Sequence, residues 1–258
     1  MKYYVNVNQA VDFLYGNIMS KNLSNLIKAF DKDTVDSQSP ILKNTKGALL
    51  CICGKKRTGK SSLWLSMLSH PALYKGYFDN IFLISPSQSD QKITPLINEL
   101  KKEQKYFDSL TEENIKYILN IISQEAQQKK LYEIKTKKKL PDTHNLLILD
   151  DVIESIPKSY KKNLITSLFY NQRHYNLTII LISQAFKLIN PSIRKQIDAL
   201  YVFPMSNKKE IEAIQEDYSI PSEIFDYCFE DESDHPFLTV NLCGAKPIYF
   251  RKLEKLNV

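Results

Sequence analysis

The sequence predicts a mixed α/β fold in which helices cover both faces of a mostly parallel central sheet. Three observations support this prediction. Five runs of strand length are almost uniformly apolar, as expected for strands covered by helices on both faces. Segments of helical character separate successive runs, which is the alternation typical of a parallel sheet. A loop containing glycine and lysine joins the first run to the first helical segment.

The predicted strands follow one another along the middle of the chain. They cover 47–53, 80–85, 145–149, 177–183 and 198–203. The second and fifth stop at Pro86 and Pro204, because proline cannot donate to the hydrogen-bond ladder of a sheet. Helices are predicted over 62–68, roughly 90–135, about 157–172 and 208–217. The segments 236–242 and 246–251 then form a β-hairpin whose turn is Cys243–Ala245.

The chain is predicted to consist of an N-terminal extension and one larger domain. Residues 1–46 carry no recognisable motif and are mainly helical, with helical patterns at 9–15 and 23–30. Residues 47–258 form the domain built around the glycine-containing loop. No apolar run reaches the length of a membrane span, and the N-terminus lacks a signal-peptide pattern. We therefore expect an intracellular, soluble protein with no membrane partner.

The loop after the first strand has the spacing of a phosphate-binding loop. Residues Gly54–Ser61 read G-x-x-x-x-G-K-S between an apolar strand and a helix start. Glycines let backbone N–H groups point inward at an anion, Lys60 brings positive charge to the β- and γ-phosphates, and the Ser61 hydroxyl can hold Mg²⁺. The residues predicted to bind ATP are Gly54, Lys55, Lys56, Arg57, Thr58, Gly59, Lys60, Ser61 and Ser62.

Two carboxylates follow the third strand. Asp150 ends an apolar run, which places its side chain beside the phosphate loop, where it can hold Mg²⁺ directly or through water. This is the Walker B element of a P-loop NTPase. Asp151 is well placed to orient or deprotonate an attacking water. The alternative for Asp151 is an N-cap of the segment that follows.

Gln184 and two arginines complete the candidate site. Gln184 ends the fourth strand, which we expect beside the first and third, so its amide can sense the γ-phosphate or position the water. The alternative is a residue that caps a turn. Arg173 precedes the same strand and could reach the nucleotide of a neighbouring subunit, with Arg194 as its competitor. Arg57 could contact the γ-phosphate, face a neighbouring subunit or point to solvent.

These residues make the chain similar to a known family of viral motors. It resembles the DNA-packaging ATPases of large eukaryotic DNA viruses, virophages and related transposons, which are poxvirus-type members of the FtsK–HerA superfamily. The matching segments, within roughly 45–252, are Gly54–Ser61, Ser85-Pro86, Leu146–Asp151, Arg173-His174, Thr178–Gln184 and Ile193–Phe203. The most specific part is Arg173-His174 before an apolar strand that ends in Gln184, downstream of Asp150-Asp151.

The resemblance implies a RecA-like core that forms a homo-oligomeric ring, a pentamer or hexamer, around double-stranded DNA. ATP hydrolysis between subunits would drive the DNA into a preformed capsid. The implied partners include capsid or portal-vertex proteins, and the implied location is the virion or the viral factory of the host cytoplasm. The implied roles are phosphate binding for Lys60, Mg²⁺ binding for Ser61 and Asp150, water activation for Asp151, γ-phosphate sensing for Gln184 and a trans finger for Arg173.

Two features differ from the family pattern. The phosphate loop carries Lys55, Lys56 and Arg57 where many relatives have small residues. We expect no nuclease domain after the ATPase segment, unlike in large terminases, so the resemblance does not imply cutting of DNA.

Two other functions fit a phosphate loop. A small-molecule kinase shares the loop, but Gln184 and the adjacent acids Asp150 and Asp151 favour water as the acceptor. A nucleotide-gated assembly scaffold without motor activity would not need an intact set of hydrolytic residues.

A lysine-rich run is one candidate for a contact with DNA, and a pore loop that the sequence does not locate is the other. Residues 129–139 contain six lysines and one acid, in a chain whose net charge is +6. Runs of like charge are readily solvated, so a solvated loop is the simpler interpretation and a binding site is the alternative.

Overall fold

A computed structural model of the chain describes residues 38–43, 46–87, 91–157, 163–230 and 235–257. The helices predicted at 9–15 and 23–30 lie outside these residues. The described part of the N-terminal segment lies against the core. The Tyr74 hydroxyl donates to the Leu42 carbonyl at 3.0 Å, and the Tyr201 hydroxyl donates to the Pro40 carbonyl at 2.7 Å. A domain boundary between residues 46 and 47 stays a prediction.

Within the described residues, one sheet of nine strands forms the centre of the fold. The strands are β1 Leu49–Cys53, β2 Asn80–Ile84, β3 Tyr106–Phe107, β4 Asn145–Asp150, β5 Leu177–Ser183, β6 Ala199–Val202, β7 Leu238–Asn241, β8 Ile248–Arg251 and β9 Glu254–Lys255. Their order across the sheet is β3-β2-β4-β5-β1-β6-β7-β8-β9. The first six pair in parallel, and the last three strands add on in antiparallel orientation. The predicted fold class, including the C-terminal hairpin, is confirmed.

Helices connect the strands and cover the sheet. They are α1 Lys60–Ser69, α2 Thr94–Lys102, α3 Glu112–Thr136, α4 Leu164–Asn171, α5 Pro191–Arg194, α6 Lys208–Tyr218 and α7 Ser222–Phe229. Local sequence explains several helix starts. The side chains of Thr111, Asn163 and Asn207 accept hydrogen bonds from backbone N–H groups of the first turns of α3, α4 and α6. Such caps satisfy N–H groups that have no partner within the helix.

Some boundaries differ from the sequence-based prediction. The helical region expected over 90–135 is two helices, α2 and α3, separated by the edge strand β3. The break was missed because Gln104, a good helix former, takes the left-handed conformation at φ 57° where glycine is the usual signal. The helix expected over 157–172 begins at Leu164 in the described residues, and α7 and β9 were not predicted.

The sheet separates two apolar clusters, which explains the uniformly apolar strands. In β1, Leu49, Cys51 and Cys53 pack into one cluster, whereas Leu50 and Ile52 pack into the other. Side chains of a strand alternate between faces, so a strand covered on both sides is apolar at most of its positions. All five residues of β1 are buried. This rigid central strand leads directly into the phosphate loop.

Candidate nucleotide-binding site

The order of the strands brings the predicted site residues to one edge of the sheet. Strand β5 lies between β1 and β4, as the sequence predicts, with Cys53 opposite Ser183 and Asp150 opposite Ile182. The residues that follow these parallel strands therefore lie side by side. The loop begins there, where the Gly54 N–H donates to the Ser183 carbonyl at 3.2 Å. Ligands of open α/β sheets bind at this carboxyl edge.

Two glycines of the phosphate loop are required by its geometry. A Cβ on Gly54 would lie 2.5 Å from the Cβ of Phe203, a distance that real Cβ atoms do not reach. Gly59 has a φ of 106°, in the left-handed region that L side chains rarely adopt, and precedes the first turn of α1. The Thr58 hydroxyl donates to the Lys55 carbonyl at 2.8 Å and closes the loop internally.

Lys60 is buried at the centre of this loop. Its ammonium donates to the carbonyls of Gly54 at 2.8 Å and Lys55 at 3.0 Å. Burial lowers the pKa of Lys60, while the negative charges of Asp151 and Asp150 act in the opposite direction. The loop therefore presents a concentrated positive charge together with the N-terminus of α1, which is a favourable environment for a phosphate.

Asp150 is buried beside the loop and oriented by a neighbouring strand. Its Oδ2 accepts a hydrogen bond of 3.3 Å from the hydroxyl of Ser85, which follows β2. The Ser85 carbonyl accepts in turn from the Tyr106 hydroxyl at 2.7 Å. The Asp150 carboxylate and the Ser61 hydroxyl are hard oxygen donors, which suit Mg²⁺ in combination with phosphate oxygens. No cluster of three His, Cys, Asp or Glu side chains that could hold a metal is found among the described residues.

Asp151 and Gln184 form a pair across the carboxyl ends of β4 and β5. The Gln184 Nε2 donates to Asp151 Oδ2 at 2.9 Å, and both side chains are exposed to the cavity beside the loop. Asp151 has a φ of 52°, an uncommon conformation for a residue other than glycine. The alternative of an N-cap does not hold, since the 3₁₀ turn Ile153–Ser155 is preceded by Val152 and has no side-chain cap.

A cavity of about 470 Å³ joins these groups. Six residues of the predicted phosphate loop line it, namely Lys56, Arg57, Gly59, Lys60, Ser61 and Ser62. The other predicted lining residues are Asp150, Asp151 and Gln184. Gly54, Lys55 and Thr58 belong to the loop but do not line this cavity. Arg57 is exposed at a φ of 67° and borders the cavity, so it is available to a bound phosphate.

The cavity also contains residues that sequence reasoning missed. Lys92 lies opposite the loop, with its Nζ donating to the Ser62 hydroxyl at 3.2 Å. His235 packs so closely on Gly59 that a Cβ there would lie 3.0 Å from the imidazole Cγ. Neither residue belongs to a local motif. His235 reaches the loop only because β7 pairs with β6, the neighbour of β1.

The two arginines have different surroundings, and neither lies in this cavity. Arg173 is in the 3₁₀ turn Gln172–Tyr175 before β5, at the opposite edge of the sheet, and its side chain is 54% exposed. Its guanidinium lies 3.4 Å from Asp198. The Arg194 side chain is only 13% exposed, lies 2.6 Å from Asp217 and stacks over Phe186 at 5.0 Å. Packing therefore holds Arg194 in place and leaves Arg173 accessible.

Comparison with known proteins identifies the family of the chain. The family model described as Poxvirus A32 protein matches residues 41–225, which include the loop, both aspartates and Gln184. The chain belongs to this family. The predicted resemblance to poxvirus-type packaging ATPases is confirmed.

Among curated proteins, the chain is similar to "Uncharacterized protein 075L" of Invertebrate iridescent virus 6. The two are 26% identical over 225 residues, which cover 80% of this chain and 75% of the relative.

Solved structures share the fold of this A32 family member. The genome packaging NTPase B204 of Sulfolobus turreted icosahedral virus 2, in complex with sulfate, has a TM-score of 0.54 at 16% identity and covers 82% of this chain and 99% of its own. The DNA-packaging ATPase B204 of Sulfolobus Turreted Icosahedral Virus has a TM-score of 0.52 at 17% identity, covering 79% and 97%. EssC (ATPases 2 and 3) of Geobacillus thermodenitrificans has a TM-score of 0.51 at 16% identity, covering 81% and 40%.

Among the helices in the described ranges, none is both long enough and apolar enough to cross a membrane.

Proposed function

We propose that the chain is an ATPase that moves double-stranded DNA into a viral capsid as one subunit of a homo-oligomeric ring. The observation that carries this proposal is that the phosphate loop, Asp150 and the Asp151–Gln184 pair line the same cavity. Membership of the A32 family and the fold shared with genome-packaging NTPases support the same function. Capsid or portal-vertex proteins would be its partners, in the virion or in the viral factory.

Each residue of the cavity would have a separate role in hydrolysis. Lys60 and the loop N–H groups would hold the β- and γ-phosphates, with Arg57 beside them. Ser61 and Asp150 would hold Mg²⁺, which when bound neutralises part of the charge on the phosphate oxygens. Asp151 would accept a proton from the attacking water. The amide of Gln184, which donates to Asp151, would fix the direction of that carboxylate and contact the γ-phosphate.

The pairing of Asp151 with Gln184 favours hydrolysis over the kinase alternative. Both groups lie open to the cavity beside the loop, so water reaches them directly.

Residues 47–258 would form the ATPase domain and residues 1–46 an extension to it.

The proposal predicts that duplex DNA stimulates ATP hydrolysis. A motor that uses ATP to move DNA couples the two events, so phosphate release with saturating duplex should exceed the rate without it severalfold. Enzymatic phosphate release and mass photometry of the same sample with ATP would measure rate and assembly together. Hydrolysis that duplex DNA leaves unchanged in an assembled ring would contradict translocation while leaving the ATPase intact.

We also propose that Arg173 is the finger that reaches the nucleotide of a neighbouring subunit. It is exposed at the edge of the sheet opposite its own phosphate loop, so only another subunit's nucleotide is accessible to it. Arg173→Ala should reduce ATPase activity by ~10³–10⁵-fold. Mixed in equal amounts with Lys60→Ala protein, which lacks a working site but keeps Arg173, it should regain activity, because about one quarter of the sites would combine an intact loop with a neighbour's intact Arg173. Mixed rings that stay as inactive as either variant alone would contradict a trans role.

Arg194 provides the matched control for this test. Arg194→Ala would remove the ion pair with the partly exposed Asp217 and uncover Phe186, so it should lower the free energy of unfolding by roughly 1–2 kcal/mol. The exposed Arg173 ion pair should contribute less than about 1 kcal/mol. Urea denaturation of the two variants distinguishes a defect in catalysis from a defect in folding.

A further inference from the structure

The positive charge of this protein is concentrated in one short segment. Residues 129–139 contain six lysines and one glutamate, a net charge of +5 in a chain whose total is +6. Among the described residues, none of these six lysines forms an ion pair with a carboxylate. Lysines near a helix C-terminus also complement the helix dipole, but that dipole is equivalent to only about half a charge. The dipole therefore does not account for a cluster of this size.

The structure places most of this segment on a helix that extends beyond the core. Residues 129–136 form the last two turns of α3, in line with the helix predicted to end near 135, so the expected solvated loop is limited to 137–139. The buried residues of α3 all lie in its first half, from Ile115 to Ile122. Toward its end even apolar side chains are exposed, with Leu131 at 56% and Ile134 at 66%. The lysines are thus carried by a helix whose buried contacts with the core all lie in its first half.

Hydrogen bonds fold the following chain back to make a cleft. Lys129 donates to the Pro141 carbonyl, and the Glu133 carboxylate accepts from the Leu140 N–H at 2.7 Å. The resulting cleft has a volume of about 540 Å³. Its basic lining residues are Lys129, Lys130, Lys139 and His174, and its acidic ones are Glu133 and Asp142.

We propose that this basic cleft binds the phosphate backbone of duplex DNA. The inference rests on the proposed DNA-translocating function, and it assigns that function a contact surface. Duplex DNA carries about one negative charge per 1.7 Å of its axis, so a row of lysines without carboxylate partners gains affinity by releasing counterions. The cleft lies at the amino ends of β4 and β5, next to Asn145 and Asn176. It is separated from the nucleotide cavity by the length of β5, roughly 23 Å at 3.3 Å per residue.

The cleft predicts a specific change in the salt dependence of DNA binding. The triple variant Lys129→Ala, Lys130→Ala and Lys139→Ala should reduce the slope of log affinity against log salt by about 2.7, or 0.9 for each phosphate that a lysine no longer neutralises. Between about 50 and 200 mM salt, wild-type affinity should then fall about 40-fold more than that of the variant. Fluorescence anisotropy with a labelled duplex of random sequence measures both. ATPase activity without DNA should not change.

Two controls keep this test informative. Lys75, Lys208 and Lys209 are exposed lysines outside the cleft, and replacing all three with alanine removes the same charge. The double variant Lys130→Ala and Lys139→Ala keeps the Lys129 bond to Pro141, so it should fold normally and still lower the slope by about 1.8.

The possible results separate this inference from the proposed function. If wild-type rings do not bind duplex DNA at low salt, both the translocase function and the DNA-binding role of the cleft are contradicted. If the cleft variant and the control variant weaken DNA binding equally, only the DNA-binding role of the cleft is contradicted. An unchanged slope together with a smaller oligomeric mass of the cleft variant would show that a second copy of the chain covers this surface, and would overturn the inference.

Discussion

Replacing Lys60 with alanine is expected to reduce ATP hydrolysis by at least ~10²–10³-fold, the effect of removing one preorganised charge-stabilising group from an active site. Lys60 is the buried cation at the centre of the phosphate loop, and no other described cation is enclosed by that loop's carbonyls. A bound triphosphate would lose its central counter-charge. Steady-state phosphate release gives the rate, and titration with a fluorescent ATP analogue gives the affinity.

The structure also defines the control for this variant. Lys60→Ala leaves the carbonyls of Gly54 and Lys55 without their ammonium donor, which should cost about 1–2 kcal/mol of unfolding free energy. Urea denaturation should therefore show a folded protein. Lys101→Ala removes an exposed lysine that stacks over Tyr106 and should leave hydrolysis unchanged. Near-normal turnover by folded Lys60→Ala protein would show that ATP hydrolysis does not depend on the phosphate loop.

Replacing Asp151 with asparagine should separate binding from turnover. Asparagine has nearly the same shape and retains an oxygen that can accept from Gln184, but it cannot take a proton from water. ATP affinity should stay within about threefold, since the phosphates are held by the loop, while the hydrolysis rate should fall by ~10²–10⁴-fold. Equilibrium binding and single-turnover hydrolysis measure the two effects separately.

A matched substitution tests whether charge alone explains this result. Asp226 is an exposed aspartate on α7, so Asp226→Asn removes one negative charge outside the cavity. It should leave the rate unchanged. Normal hydrolysis by Asp151→Asn protein would show that another group activates the water. The positive φ of Asp151 should also suit asparagine, so a loss of folding is not expected.

Local sequence patterns predicted the centre of the fold and of the site. The phosphate loop, Asp150 and Gln184 follow apolar strands, and parallel strands place such residues at one edge. Strand order could be inferred for β5 because a hydrolytic site requires Gln184 near the loop. The structure added the bond between Gln184 and Asp151 and the support of Asp150 by Ser85, which are contacts between distant parts of the chain.

Other features had no local signal. His235 and Lys92 approach the loop through pairing and packing of segments that are remote in sequence. The edge strand β3 consists of two residues, too short to show alternation. The lysine run gave two conflicting predictions, since 129–135 ended a predicted helix while the charge of 129–139 favoured a solvated loop. The helix extends to Thr136, because lysine has a good helix propensity and α3 has an apolar face that anchors its first half.

In the proposed ring, Asp198 would give the subunits a means of communication. Its carboxylate accepts from the Leu49 N–H through Oδ2 at 2.8 Å and lies 3.4 Å from Arg173 through Oδ1. Leu49 begins β1, and β1 ends at the subunit's own phosphate loop. If Arg173 leaves Asp198 for a neighbour's ATP, the Asp198 carboxylate loses one partner while it still holds the N–H group of Leu49 at the start of β1. Each subunit would then respond to the nucleotide state of the adjacent site, as sequential ATP hydrolysis by successive subunits requires.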